Sequence, residues 1–174
     1  MLKAIVILFC FFAMPGQLPA QRSIRLYNKG VQLALRAEYV SAIRYFNKAI
    51  AKDPSLYEAW FNRARCKSAL HQFSAAIVDY SRCISLQPAS SHAYNNRGAD
   101  KNDLGDLSGA ISDYTQAISI DPTYTKAWYN RGIVWYELKK YMQAIEDFDR
   151  VVMLDPNNKA AAQKRQEMQT LLAH

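Results

Sequence analysis

Four asparagines, Asn28, Asn62, Asn96 and Asn130, recur at intervals of 34 residues in the contexts LYNKG, WFNRA, YNNRG and WYNRG. A carboxamide is both donor and acceptor, so a row of them can pair with successive peptide units of any sequence. Other chemistry is poorly provided for. His71 and His92 are isolated, His174 is terminal, and no set of residues has metal-ligand or nucleophile–base spacing. The stretch DKNDLGD, residues 100–106, puts Leu104 and then Ile111 where a calcium loop needs oxygen ligands, so it reads as a polar helix end and turn. No glycine-rich phosphate loop occurs, and the carboxylates fall on solvated helical positions by pattern. The expectation is a chain that is not an enzyme and binds no cofactor and no metal.

The same interval organises the rest of the chain. Pro54, Pro88, Pro122 and Pro156 keep the 34-residue step, as do Leu26, Trp60, Tyr94 and Trp128, each followed four residues later by a small residue. Ala42-Ile43, Ala76-Ile77, Ala110-Ile111 and Ala144-Ile145 recur in phase, then Phe46, Tyr80, Tyr114 and Phe148. A fixed period of this size marks a solenoid whose units stack on their neighbours. Each unit holds two apolar stretches at helical spacing around a short polar turn such as LGDL, residues 104–107. Small residues mark close helix approach, and the rings fill the gaps. Proline is expected in the first helical turn of each new hairpin, where an amide proton has no acceptor.

These positions resemble the tetratricopeptide repeat, in the subtype with NRG and AIxDY signatures found in the repeat domain of O-GlcNAc transferase. The resemblance implies an all-α, right-handed α-solenoid of four helix-turn-helix repeats, residues 23–56, 57–90, 91–124 and 125–158. Residues 159–174, with Ala161, Met168, Leu171 and Leu172 on one face, read as a capping helix. The first helix of each repeat is then implied to line the concave side. Asn28, Asn62, Asn96 and Asn130 would hold the backbone of an extended peptide there, beside Tyr27, Phe61, Arg65, Lys126 and Tyr129. By the same register Ile24, Val31, Leu35, Asn95, Asp103 and Ile133 also face the groove. Some repeats of the family grip a C-terminal carboxylate with a basic clamp. Here Asn96 and Lys126 fit it, but Phe61, Arg65 and Asn130 stand where it has lysine, asparagine and a basic residue, so the clamp is not assigned. Two readings stay open: a protein-interaction adaptor with a peptide in the groove, or a structural subunit that assembles, as a homo-oligomer or in an envelope complex, through its convex face or first repeat. The asparagines are correspondingly ligands or ordinary solvated residues.

Arg63, Arg97 and Arg131 occur where Asp79, Asp113 and Asp147 occur, whereas the first repeat changes both members, to Lys29 and Tyr45. An ion pair between the two helices of a repeat is expected. Cys66 and Cys83 are offset by about 7.5 Å along an antiparallel hairpin, beyond the reach of a disulfide, and read as two core thiols.

Residues 1–20 have the form of a signal peptide: Lys3, an uncharged run of 11 residues from Ala4 to Met14, Pro15-Gly16, and Ala20 before Gln21. The run is short of the roughly 20 residues that span a bilayer. The expectation is export to the periplasm or beyond, with no stable membrane span after cleavage; the other reading is an uncleaved anchor. The chain carries a net charge of +7, but its charges form no stripe, and a nucleic-acid partner is not expected. The third repeat runs against the total, with Arg97 and Lys101 opposed by Asp100, Asp103, Asp106, Asp113 and Asp121.

Overall fold

The computed structural model describes residues 17–172. Within them, the chain is a succession of antiparallel helix pairs: α1 (Gln17–Leu35) with α2 (Tyr39–Lys52), α3 (Tyr57–Ala69) with α4 (Phe73–Leu86), α5 (Ser91–Asp103) with α6 (Leu107–Ile120), and α7 (Thr125–Glu137) with α8 (Tyr141–Leu154). A last helix, α9 (Lys159–Leu172), packs on α8. This is an all-α helical solenoid. Each helix packs on the one before and the one after it. The odd-numbered helices also meet one another, α1 with α3, α3 with α5 and α5 with α7, which places them on the inside of the curve.

The sequence reading leaves residues 1–20 out of the fold, yet α1 extends back to Gln17 and crosses the expected cleavage point between Ala20 and Gln21. Nothing local stops it, since Pro19 lies in its first turn, where a missing amide proton costs nothing. The remainder of the expected signal, residues 1–16, lies outside the described residues.

The small-to-large pairing builds the core. A Cβ added at Gly30 would meet the Phe46 ring at 2.6 Å, one at Gly98 the Tyr114 ring at 2.9 Å, and one at Gly132 the Phe148 ring at 3.1 Å. Repeat two uses Ala64 against Tyr80. The prolines are not in the first helical turn; Pro54 and its equivalents occupy the connection before it. There, Leu56 N–H bonds Asp53 C=O and the Asp53 carboxylate accepts from Ser55 N–H. Pro54 thus takes the second place of a β-turn, for which its fixed φ is suited. Two tryptophans lock this connection, Trp60 Nε1 donating to Pro54 O at 2.9 Å and Trp128 Nε1 to Pro122 O at 3.0 Å.

Within each repeat, the turn between helices passes through the left-handed region at one position: Ala37, His71, Gly105 and Lys139, with φ of 59°, 57°, 81° and 58°. Paired bonds such as Gln72 N–H to Lys67 C=O and His71 N–H to Ser68 C=O close the helix C-terminus there. His71 is therefore a turn residue.

The expected ion pairs form. Arg63 grips Asp79 through Nε (2.7 Å) and Nη2 (2.6 Å), Arg97 grips Asp113 (2.8 and 2.7 Å), and Arg131 grips Asp147 (2.9 and 2.7 Å). The third nitrogen of each reaches back one repeat, to Asn47, Ser81 and Thr115 respectively. Arg165 in α9 repeats that backward step, to Asp149 at 3.1 Å. The C-terminal helix thus follows the register of a first helix. Cys66 and Cys83 are both buried and free, and burial pushes their thiols up to about 11 and about 12, as inert core groups require.

Candidate functional site: the inner groove

Three cavities lie along the odd-numbered helices. One of about 200 Å³ between the first and second repeats is bounded by Val31, Ala34, Leu35, Tyr39, Asn62 and Arg65 among others. Another of about 490 Å³ between the second and third is bounded by Arg65, Ser68, Tyr80, Asn96, Asp100 and Asp103 among others. A third of about 190 Å³, between the fourth repeat and α9, is bounded by Thr125, Lys126, Tyr129, Asn130, Asn158 and Ala160. Asn62, Arg65, Asn96, Lys126, Tyr129 and Asn130 thus line cavities on one side of the solenoid.

The asparagines are not equivalent. Asn28 is exposed on α1. Asn62 donates to the Tyr27 hydroxyl at 3.2 Å and to Glu58 C=O at 2.9 Å, while its oxygen has a long contact from Arg65 at 3.5 Å. Both of its amide protons are spent inside the protein, so only its oxygen is left for a ligand. Asn130 donates to Asn95 Oδ1 at 3.0 Å, and Asn95 donates to Asn96 Oδ1 at 3.1 Å. That leaves available the Asn130 oxygen and, of the Asn96 amide, the proton not directed at the Tyr80 hydroxyl. The pattern has a cause in the register. Tyr27, Phe61, Asn95 and Tyr129 share one position, and a polar group there reaches the asparagine of the next repeat, whereas Phe61 has nothing to offer.

Asn95 is placed in the groove by the sequence reading, but it is only 5% exposed. It is a buried bridge between Asn96 and Asn130, because an inward-leaning amide between two others keeps its hydrogen bonds only by giving up solvent. The aromatic residues are partly packing groups as well. Tyr27 lies on Phe46, Phe61 on Tyr57 and Tyr80, and Tyr129 edge-on to Phe148.

Asp100 was legible only as a polar residue where the fourth repeat has Val134. In the structure it is 3% exposed and borders the largest of the three cavities. Its side chain accepts from Ser68 Oγ at 2.8 Å, but that hydroxyl has one proton and also lies 3.1 Å from Ala64 C=O. Burial holds the Asp100 carboxyl up at about 6, further raised by Asp103, with only the Ser68 hydrogen bond opposing. The Tyr80 hydroxyl beside it, bonded to Ser68 and Asn96, is pushed well above its ordinary range by burial. Among the described residues, no group of three histidines, cysteines or carboxylates is arranged to hold a metal ion, and no helix is long and apolar enough to cross a membrane.

Three segments match models of a known repeat: residues 45–78 and 125–158 the tetratricopeptide repeat, and residues 101–139 the TPR repeat. The chain is a tetratricopeptide repeat protein. It is similar to an uncharacterized protein of Methanocaldococcus jannaschii, 38% identical over 50 residues that make up 29% of this chain and 58% of that one. The match therefore spans little more than half of that relative. Among solved structures, the MamA protein superposes with a TM-score of 0.79 over 84% of this chain and 80% of its own, at 20% identity, a likeness of fold alone. The first TPR of Spaghetti (RPAP3), solved bound to the HSP90 peptide SRMEEVD, has a TM-score of 0.66 at 25% identity, covering 68% of this chain and 94% of its own. The repeat family and such neighbours make this chain a protein-interaction module by fold.

Proposed function

We propose that this tetratricopeptide repeat protein is a non-catalytic adaptor that binds an extended segment of a partner protein in its inner groove. The observation that carries this reading is the row of cavities along α1, α3, α5, α7 and α9, with the Asn130 oxygen and one Asn96 amide proton left unspent at their walls. The peptide seen on the repeat domain of RPAP3 supports the mode of binding. Four amide contacts at ~0.5–1.5 kcal/mol each contribute roughly 2–6 kcal/mol, near millimolar affinity before ordering costs. Side-chain pockets must supply the rest. With the signal-like N-terminus, the adaptor works outside the cytoplasm, in the periplasm or beyond; N-terminal sequencing of the mature protein beginning at Gln21 would support export, and an intact Met1 would count against cleavage.

The test is cross-linked capture from the native envelope fraction by the wild type and by an Asn28/Asn96/Asn130→Ala variant whose circular dichroism and melting show it folded. Loss of a partner only in the variant supports the groove. The second reading, assembly through the first repeat, is favoured by the exposure of Leu35 (77%), Val40 (57%) and Ile24 (44%). Loss of the partner in Val40→Glu, a position outside the groove cavities, with full capture by the asparagine variant would replace the first reading with the second.

A further inference from the structure

Most buried carboxylates of this chain are neutralised. Asp79 has Arg63 and Lys67 at 2.6 and 2.8 Å, Asp113 has Arg97 and Lys101 at 2.7 and 2.9 Å, and Asp147 has Arg131 at 2.7 Å. Asp100 is as buried as these and has only the contested Ser68 hydroxyl among the described residues. A carboxylate removed from water without a cation is costly to the fold. A helix position filled by Cys66 in repeat two and Val134 in repeat four needs no such group for packing.

Two carboxylates, Asp100 and Asp103, and one guanidinium, that of Arg65, border the cavity between the second and third repeats. The charged and titratable groups facing this cavity are Arg65 from α3, His71 from the turn, Tyr80 from α4 and Asp103 from α5. Arg65 is the one permanent cation, and it is exposed and lies toward Asn62 at 3.5 Å, in no ion pair. Asp103 adds a second negative charge at the rim. The wall also carries Asn96, whose oxygen accepts from Asn95, so its remaining amide proton is a donor suited to a backbone carbonyl of the bound segment and not to the cation. The third repeat has two basic and five acidic residues in a basic chain, and two of the five, Asp100 and Asp103, border this cavity.

Resting on the groove reading above, we infer that the cavity between the second and third repeats receives a lysine or arginine side chain of the bound segment and that Asp100 neutralises its cation. The adjoining cavity, which shares Arg65 and Ala69 with this one, has Val31, Ala34, Leu35 and Tyr39 in its wall and takes an apolar side chain. Neighbouring inner helices lie about 10 Å apart, and a segment in the polyproline II form advances ~3.1 Å per residue with about three residues per turn, which brings every third side chain to the same face. The recognised segment therefore carries a basic residue about three positions from an apolar one.

The test uses the full protein and small probes, the methylamides of acetylated arginine, lysine and citrulline, with carboxyl-carbon and amide NMR as readout. Saturable movement of the Asp100 carboxyl and Asn96 side-chain resonances is expected with arginine or lysine up to about 100 mM, the range for a single-residue contact. Citrulline, of nearly the same shape as arginine but uncharged, should leave them in place. Asp100→Asn, which keeps an acceptor for Ser68, should weaken the cationic probes at least about tenfold, and Asp103→Asn should do so less. Equal response to citrulline, undiminished binding in Asp100→Asn, dominance of the Asp103→Asn effect, or no saturable change with any probe would each overturn the assignment. If the cation effect is absent while the asparagine variant still loses its partner, this inference falls and the groove reading stands. If that variant keeps its partner, the groove reading itself falls.

Discussion

Asp113 and Asp100 belong to the same repeat and are each 3% exposed, but one faces the seam between helices and the other the inner groove. Asp113 is clasped by a bidentate guanidinium and by Lys101, in a seam that the second repeat copies in full and the fourth with its arginine alone. Asp100 accepts a shared proton from a serine and opens on a cavity. The same residue type at the same burial is thus scaffold in one place and a candidate ligand in the other. The difference is made by the cations on the neighbouring turns. A buried charge already paired has nothing left to offer a partner, and one still unpaired stabilises whatever cation reaches it.

The largest effect that separates the two comes from removing the carboxylates. Asp113→Ala leaves the half-buried Arg97 and Lys101 without their acceptor and should lose about 3 kcal/mol of stability in urea unfolding. Asp100→Val, which installs the residue of repeat four, should instead gain roughly 1 kcal/mol at pH 7, after discounting for solvent at the cavity mouth. Equal losses in the two variants would erase the distinction.

The pH dependence sharpens it. The Asp100 carboxyl, ordinarily at 3.8, is held at about 6 in the fold, so the folded state binds its proton more tightly than the unfolded chain does. Its penalty is fully present above pH 6 and is relieved as pH falls from about 6 through 3.8. The stability gap between Asp100→Asn and wild type should therefore narrow between pH 7 and pH 4, as followed by thermal melts with His71→Gln in both backgrounds. A gap that widens on acidification would contradict the assignment.

A smaller effect concerns α5 against α7. With Asp100 and Lys101 where α7 has Val134 and Trp135, α5 contributes less apolar burial and should exchange its amides faster; the best protection in the array falling on α5 would break this contrast. The smallest concerns the hairpin turns. Ala37 holds φ of 59° where the third repeat uses Gly105, so Ala37→Gly should gain up to ~1 kcal/mol and Gly105→Ala lose about as much. Calorimetric melting of both variants checks it.

Much of the scaffold was legible because the repeat supplies its own controls. The arginine and aspartate change together in the first repeat, which pairs them without any alignment, and the offset of Cys66 and Cys83 excludes their bridge. What escaped depends on contacts that only the packed helices reveal. Lys67 and Lys101 join the aspartates from one helical turn beyond the arginines, and Arg165 follows their step into α9. Asn95 leans inward because Asn96 and Asn130 bracket it. Asp100 showed its substitution in the sequence, but its lack of an ion pair among the described residues became visible only with the packed helices. Likewise, the expected row of four equivalent asparagines holds in spacing and not in chemistry, since Asn62 spends both amide protons on Tyr27 and Glu58.

The most direct measurement is amide hydrogen exchange of the protein with and without the partner segment recovered by cross-linking. Slowed exchange is expected in α3, α5 and α7 on binding, strongest around Asn96 and Asp100. Slowing confined to α2, α4, α6 and α8, or to α1 alone, would contradict it and place the partner on the outer face or the first repeat.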